Sequence, residues 1–259
     1  MRVIISFLSI ATVSAAIASM PARALEPDPP ALLISPQEAI AISIRKRLAN
    51  TPRNLDERAL EERRGLARFY SREGARPVWV SENGITDQAR RALSELRDAN
   101  DWGLDVKDFD IPSQADLERT SLSVSELIDA ELRISLAIVK YARYAGGGRY
   151  DPKDLAHDID RTPELPAPGD VIDTVIAAAD PRAALLLYHP QHEQFKRLRL
   201  AYLKALEDEK NPAAEKDDRK ADSRRRKRRK ARSRSVSQRL LYNMDMWRWM
   251  PRDLGQMHI

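Results

Sequence analysis

From Ser125 to Ala145 the chain sets Leu127, Glu131, Ile134, Ile138, Tyr141 and Ala145 alternately four and three residues apart, which places all six on one broad face of a helix. Gly146-Gly147-Gly148 then ends it, because consecutive glycines lose the most backbone entropy on ordering and readily take a positive-φ cap. Upstream, Ser35-Pro36 opens a helix carrying Ala39, Ile40, Ile42 and Ile44, which closes before Thr51-Pro52. A second helix is expected over Leu55 to Tyr70, with Leu60, Leu66, Phe69 and Tyr70 as a loose apolar stripe. Val78-Trp79-Val80 reads as a short extended piece and Asn83-Gly84 as a turn. Thr86 caps a helix through Ala99 with Ala89, Leu93 and Leu96 inward.

Asp101 to Pro112 reads as a loop holding three plugs, Trp102, Leu104 and Phe109. Beyond a Pro-rich connector at Asp160 to Gly169, three helical pieces are predicted: Val171 to Ala179, Pro181 to Tyr188 and His192 to Glu209. The fold class is therefore mainly α, a compact helical domain over residues 35–209 with short extended segments. Residues 25–34 read as extended and 210–237 as a flexible linker, since that stretch holds one apolar residue larger than Ala, Val236. Residues 238–259 regain apolar and aromatic character.

Charge changes the picture in one place. The formal net charge is +5, yet Arg224, Arg225, Arg226, Lys227, Arg228, Arg229, Lys230, Arg232 and Arg234 crowd into the linker, so the rest of the chain is mildly acidic. That run would hold a polyanion such as an anionic envelope polymer or lipid. It lacks the interleaved aromatics and flanking fold of a nucleic-acid binder. The start, MRVIISFLSIATVSAAIASMPARA, joins one Arg to an apolar run and a small-residue cleavage pattern at Ala22-Arg23-Ala24. Residues 1–24 thus read as a signal peptide, and the expected location is the periplasm or cell envelope. No later segment is apolar enough to span a membrane.

Candidate chemistry is sparse. The 259 residues contain no Cys, which excludes disulfides, thiolate metal sites and a thiol nucleophile among them. His157, His189, His192 and His258 form no ligand cluster, and His189, His192 and Glu193 read as a solvated helix start. No cofactor is expected. Asp87, Glu95, Asp98 and Asp101 sit among Arg90, Arg91 and Arg97, and Arg91/Glu95 reads as an i,i+4 pair on a solvated face. Trp79, Trp102 and Tyr141 could line a glycan groove or pack the core.

Three stretches together carry a resemblance. FYSREGARPVWVSENGITDQARRALSELRDANDWGLDVKDF, Phe69 to Phe109, is similar to the amino-terminal scaffold region of the large bacterial L,D-transpeptidases. ELRISLAIVKYARYAGGGRYDP, Glu131 to Pro152, looks like that region's long helix and its exit. NMDMWRWMPRDLGQMHI resembles the signature leading into the family's catalytic domain, with Asn243, Trp247, Arg248, Trp249, Pro251 and Gly255 as the joint and Met246 where Arg is usual.

The resemblance implies enzymes that cross-link or edit peptidoglycan through a cysteine assisted by a histidine, held in a β-rich domain downstream. Neither that domain nor the peptidoglycan-binding repeat of many members has a counterpart in the residues here. The expectation is an exported, non-catalytic scaffold that contacts peptidoglycan or another envelope protein. The alternatives are the amino-terminal part of an active transpeptidase whose catalytic domain is lost or encoded downstream, and a polyanion-binding protein acting through the Arg/Lys run. A joint deprived of its next domain must fold its tryptophans back on the scaffold, meet another chain or leave them exposed.

Overall fold

The computed structural model describes residues 35–119, 121–152, 162–210 and 235–250. The predicted signal peptide, the nine-residue basic set, Pro251 and Gly255 lie outside the described residues. In chain order the helices are α1 (Pro36–Ala49), α2 (Glu57–Tyr70), α3 (Asp87–Arg97), α4 (Gln114–Glu118), α5 (Val124–Gly147), α6 (Pro168–Ala177), α7 (Pro181–Leu186), α8 (Glu193–Lys210) and α9 (Val236–Arg248). Between α2 and α3 lies one antiparallel ribbon, β1 (Val80–Ser81) paired with β2 (Gly84–Ile85) in the register Val80 to Ile85. The mainly α expectation holds.

Helix α5 is the axis. It packs against α1, α2, α3, α6, α9 and the ribbon, and Ile134, Ile138, Val139, Tyr141, Ala142 and Ala145 along it are all buried. A helix apolar on so much of its circumference is stable only when enclosed. Each buried Ile or Leu adds about 1.5 to 3 kcal/mol relative to exposure. Around it Ile44, Leu48, Leu66, Trp79, Leu93, Leu96, Val171, Ile172 and Leu185 complete a single apolar cluster. A smaller cluster of Phe195, Tyr202 and Met244 joins α8 to α9.

Several boundaries differ from the sequence reading, each for a local reason. Helix α5 begins two residues before Ser125 would cap it, because Ser123 and Glu126 form a reciprocal capping box. At the other end it runs through Gly146 and Gly147 before Gly148 breaks it at φ 80°. Ser113 and Asp116 form a second capping box that starts the unpredicted α4. The expected loop at Asp101 to Pro112 contains 3₁₀ turns at Ala99–Trp102 and Val106–Asp108. Ser235 and Gln238 box the start of α9, so Val236 and Ser237 belong to the helix and not to the linker. At the same junction Glu209 accepts from the Ser237 amide at 3.1 Å and hydroxyl at 2.7 Å, pinning the end of α8 to the start of α9.

Candidate functional site

Of the three aromatics that could have faced a glycan, none does. Trp79 is wholly buried and donates its indole N–H to Ser135 at 3.0 Å. Tyr141 is equally enclosed. Trp102 is partly exposed, but His189 stacks on it at 4.4 Å and 15°, and the Arg199 guanidinium lies 3.9 Å from its ring centre. With His189 on one face and Arg199 on the other, it has no face left for a sugar. All three are packing residues.

Glu131 shows why Trp79 is held. One oxygen of its carboxylate accepts from the amide of Val78 at 2.8 Å and from the Tyr70 hydroxyl at 2.5 Å. The other accepts from the amides of Trp79 at 2.8 Å and Val80 at 3.0 Å. One buried side chain thus satisfies three successive backbone donors that no strand partner reaches. Burial lifts the Glu131 pKa to about 7, against the lowering effect of those four hydrogen bonds. The spacing put Glu131 on the inner face without revealing this work, because its partners lie 51 to 61 residues upstream.

A second polar line lies where α3, α5, α7 and the start of α8 meet. The Tyr141 hydroxyl donates to Glu95 at 2.8 Å and pairs with Nε2 of His189 at 2.9 Å. Glu95 also meets Arg182 at 3.1 Å. Burial raises the pKa of both Glu95 and Tyr141. Two expectations are corrected here. Glu95 is fully buried and pairs with Arg182 from α7, not with Arg91 on a solvated face. His189 is buried between Trp102 and Phe195, so only His192 and Glu193 stand on the exposed helix start.

The joint signature folds back onto the scaffold. Arg248 is buried, donating to Asp245 at 3.0 Å and to the Trp102 carbonyl at 2.5 Å, with its guanidinium 5.4 Å from the Phe195 ring centre. Asp245 also accepts from Arg149, just beyond the end of α5, at 2.9 Å. Burial lowers the Arg248 pKa, partly offset by Asp245. Trp247 is partly exposed and packs on the α8/α9 cluster. Trp249 lies against Gly148, where a Cβ would come within 2.5 Å of its indole nitrogen. Asn243 is exposed on the outer side.

Trp247 separates two surface clefts. One of about 310 Å³ is floored by His189 and walled by Leu187, Gln191, His192, Trp247 and Met250. The other, about 440 Å³ and more open, is lined by Gln194, Arg197, Leu198, Asn243, Met246 and Trp247. Among the described residues no group of three or more His, Asp or Glu is placed to hold a metal ion, and no helix is long and apolar enough to cross a membrane. The clefts present aromatic surface, planar amides, imidazole and the Arg197 guanidinium.

The described residues thus form a helical body around one long axial helix, with two clefts along the α8/α9 ridge. Residues 64–201, from the second half of α2 into α8, match the family model described as Scaffold domain, the scaffold domain of L,D-transpeptidases. The chain belongs to that family, and this domain is the family's non-catalytic part. No curated protein and no solved structure matches the chain.

Proposed function

We propose that the protein is an exported, non-catalytic scaffold that serves peptidoglycan cross-linking or remodelling in the periplasm or cell envelope. The match of residues 64–201 to the scaffold domain carries this reading. The signal-like start supports export, and the lack of any Cys in 259 residues means a thiol nucleophile would have to come from a different stretch of polypeptide. Its partners on this reading are peptidoglycan itself or another envelope protein. The basic run adds electrostatic attachment to an anionic envelope polymer or lipid.

Retention of the purified chain on isolated sacculi, at low and at high salt, tests this. Retention that survives high salt assigns wall contact to the helical domain. Retention lost at high salt assigns it to the Arg/Lys run, because screening acts on exposed charge. No retention at either salt rejects wall contact. A second reading, the amino-terminal part of an active transpeptidase, draws on the Trp-Arg-Trp signature in and just after α9. A downstream frame encoding a domain with His and Cys would establish it, and the absence of such a frame would exclude it.

A further inference from the structure

We propose that Trp247 is the platform of a carbohydrate subsite, and that a strand of neutral N-acetylated sugars crosses the α8/α9 ridge over it, one cleft on either side. The inference rests on the wall-associated reading above and names the chemistry of the contact. Four observations carry it.

First, of the four tryptophans in the chain, Trp79 is enclosed, Trp102 is covered on both faces and Trp249 is packed against Gly148, whereas Trp247 lines both clefts. The C–H face of a sugar ring stacks on an aromatic surface of this kind, apolar in its body and set among polar groups. Second, planar polar side chains surround it: His192 lies 5.7 Å away, with Gln191, Gln194 and Asn243 along the two clefts. The Gln191 amide nitrogen donates to the Leu186 carbonyl at 3.1 Å and the His189 carbonyl at 2.8 Å. Both its hydrogens are engaged, so the side chain is fixed and offers its oxygen as an acceptor for a hydroxyl or amide N–H.

Third, the two arginines in the lining already have partners. Arg197 pairs with Glu193 at 3.2 Å and Arg248 with Asp245 at 3.0 Å. Each positive charge is balanced by a carboxylate, and although Arg197 stays 77 % exposed the clefts carry no net positive charge to select an anionic stem peptide over the neutral sugar backbone of the wall. Fourth, Leu187 is 64 % exposed and Met246 56 % exposed, one in each cleft, an apolar surface suited to acetamido methyl groups. The second cleft is walled by α8 and α9, whose backbone bonds are made within the helices, and no β-strand borders either cleft, so an extended peptide finds no strand edge to pair with.

Titration of the full chain with tetra-N-acetylchitotetraose, followed by tryptophan fluorescence and calorimetry, tests the subsite. Saturable binding is expected, weakened about tenfold by Trp247→Ala. Gln191→Ala and His192→Ala, both on the exposed surface, should weaken it about threefold while leaving the helical circular dichroism unchanged. These two keep the test valid if Trp247→Ala loosens α9. No saturable binding, binding unchanged in all three variants, or preference for free stem peptides over the oligosaccharide would overturn the proposal. Retention on sacculi without oligosaccharide binding removes the subsite and leaves the wall reading standing. Oligosaccharide binding without retention on sacculi supports the subsite and rejects the wall reading.

Discussion

The guanidinium of Arg248 donates to the backbone carbonyl of Trp102 at 2.5 Å, across 146 residues of sequence. That contact seats α9 on the scaffold and caps the column of Trp102, His189 and Phe195 from below. Arg248→Ala should leave Asp245 buried with Arg149 as its one remaining cation and the Trp102 carbonyl without this donor. Breaking a buried pair costs about 3 to 5 kcal/mol. The expected signature is local: hydrogen exchange in α9 accelerates strongly while the centre of α5 stays protected. Uniform acceleration across both helices would show instead that α9 is integral to the core.

Glu131→Ala should be the most damaging single truncation of a polar residue in the domain. It strips the amides of Val78, Trp79 and Val80 of their acceptor at once. Each buried donor left unsatisfied costs about 1 to 3 kcal/mol, so a loss of about 3 to 5 kcal/mol is expected in urea denaturation. Glu131→Gln should also destabilise, because its amide group turns donors toward donors. A loss below about 1 kcal/mol for the Ala variant would refute the clamp.

Stability should fall as pH rises from about 4.5 to about 7, and Glu62 is one cause. It is buried beside Arg143, which already binds Glu61 at 2.5 Å, and burial raises the Glu62 pKa from 4.5 to about 7. A carboxyl with a raised native pKa holds its proton more tightly folded than unfolded. Its contribution is complete below the unfolded value and is lost as pH climbs through the folded one. The shift corresponds to about 3 kcal/mol at most. Thermal unfolding at pH 5 and pH 7.5 should give a higher midpoint at pH 5, and Glu62→Gln should flatten the difference.

Periodicity exposed the architecture because α5 repeats one inward face for about five turns, from Leu127 to Ala145, and nothing local contradicts it. The same reasoning misjudged Glu95 and His189, since their polar character argues for solvent at any single position. Their burial follows from partners on other elements, Arg182 of α7 and Tyr141 of α5, which a one-dimensional pattern cannot pair. Glu131 was placed on the correct face, but its three amide partners sit in the short stretch that leads into β1 and includes its first residue, Val80, where no repeat marks them. The capping boxes at Ser123/Glu126 and Ser235/Gln238 were readable as Ser-x-x-Glu and Ser-x-x-Gln, and they set both helix starts. Trp247 could be recognised as a surface residue only after α9 had been docked against α8.

Gly65→Ala offers a test of how tightly α2 and α6 are joined. Gly65 is buried in the middle of α2, and a Cβ there would lie 2.5, 2.6 and 2.9 Å from three ring carbons of Pro168 at the start of α6. Helix propensity alone favours Ala by about 1 kcal/mol. Overpacking against a rigid ring that cannot swing aside costs about 1 to 3 kcal/mol, so the net effect should be destabilising. Pro168→Ala removes the colliding atoms, and in that background Gly65→Ala should become neutral or stabilising. The double-mutant cycle should therefore show a favourable coupling of about 1 to 2 kcal/mol. Additive effects would mean that the two helices separate to accept the methyl group, and that the α2/α6 contact is looser than the close approach of Gly65 to Pro168 requires.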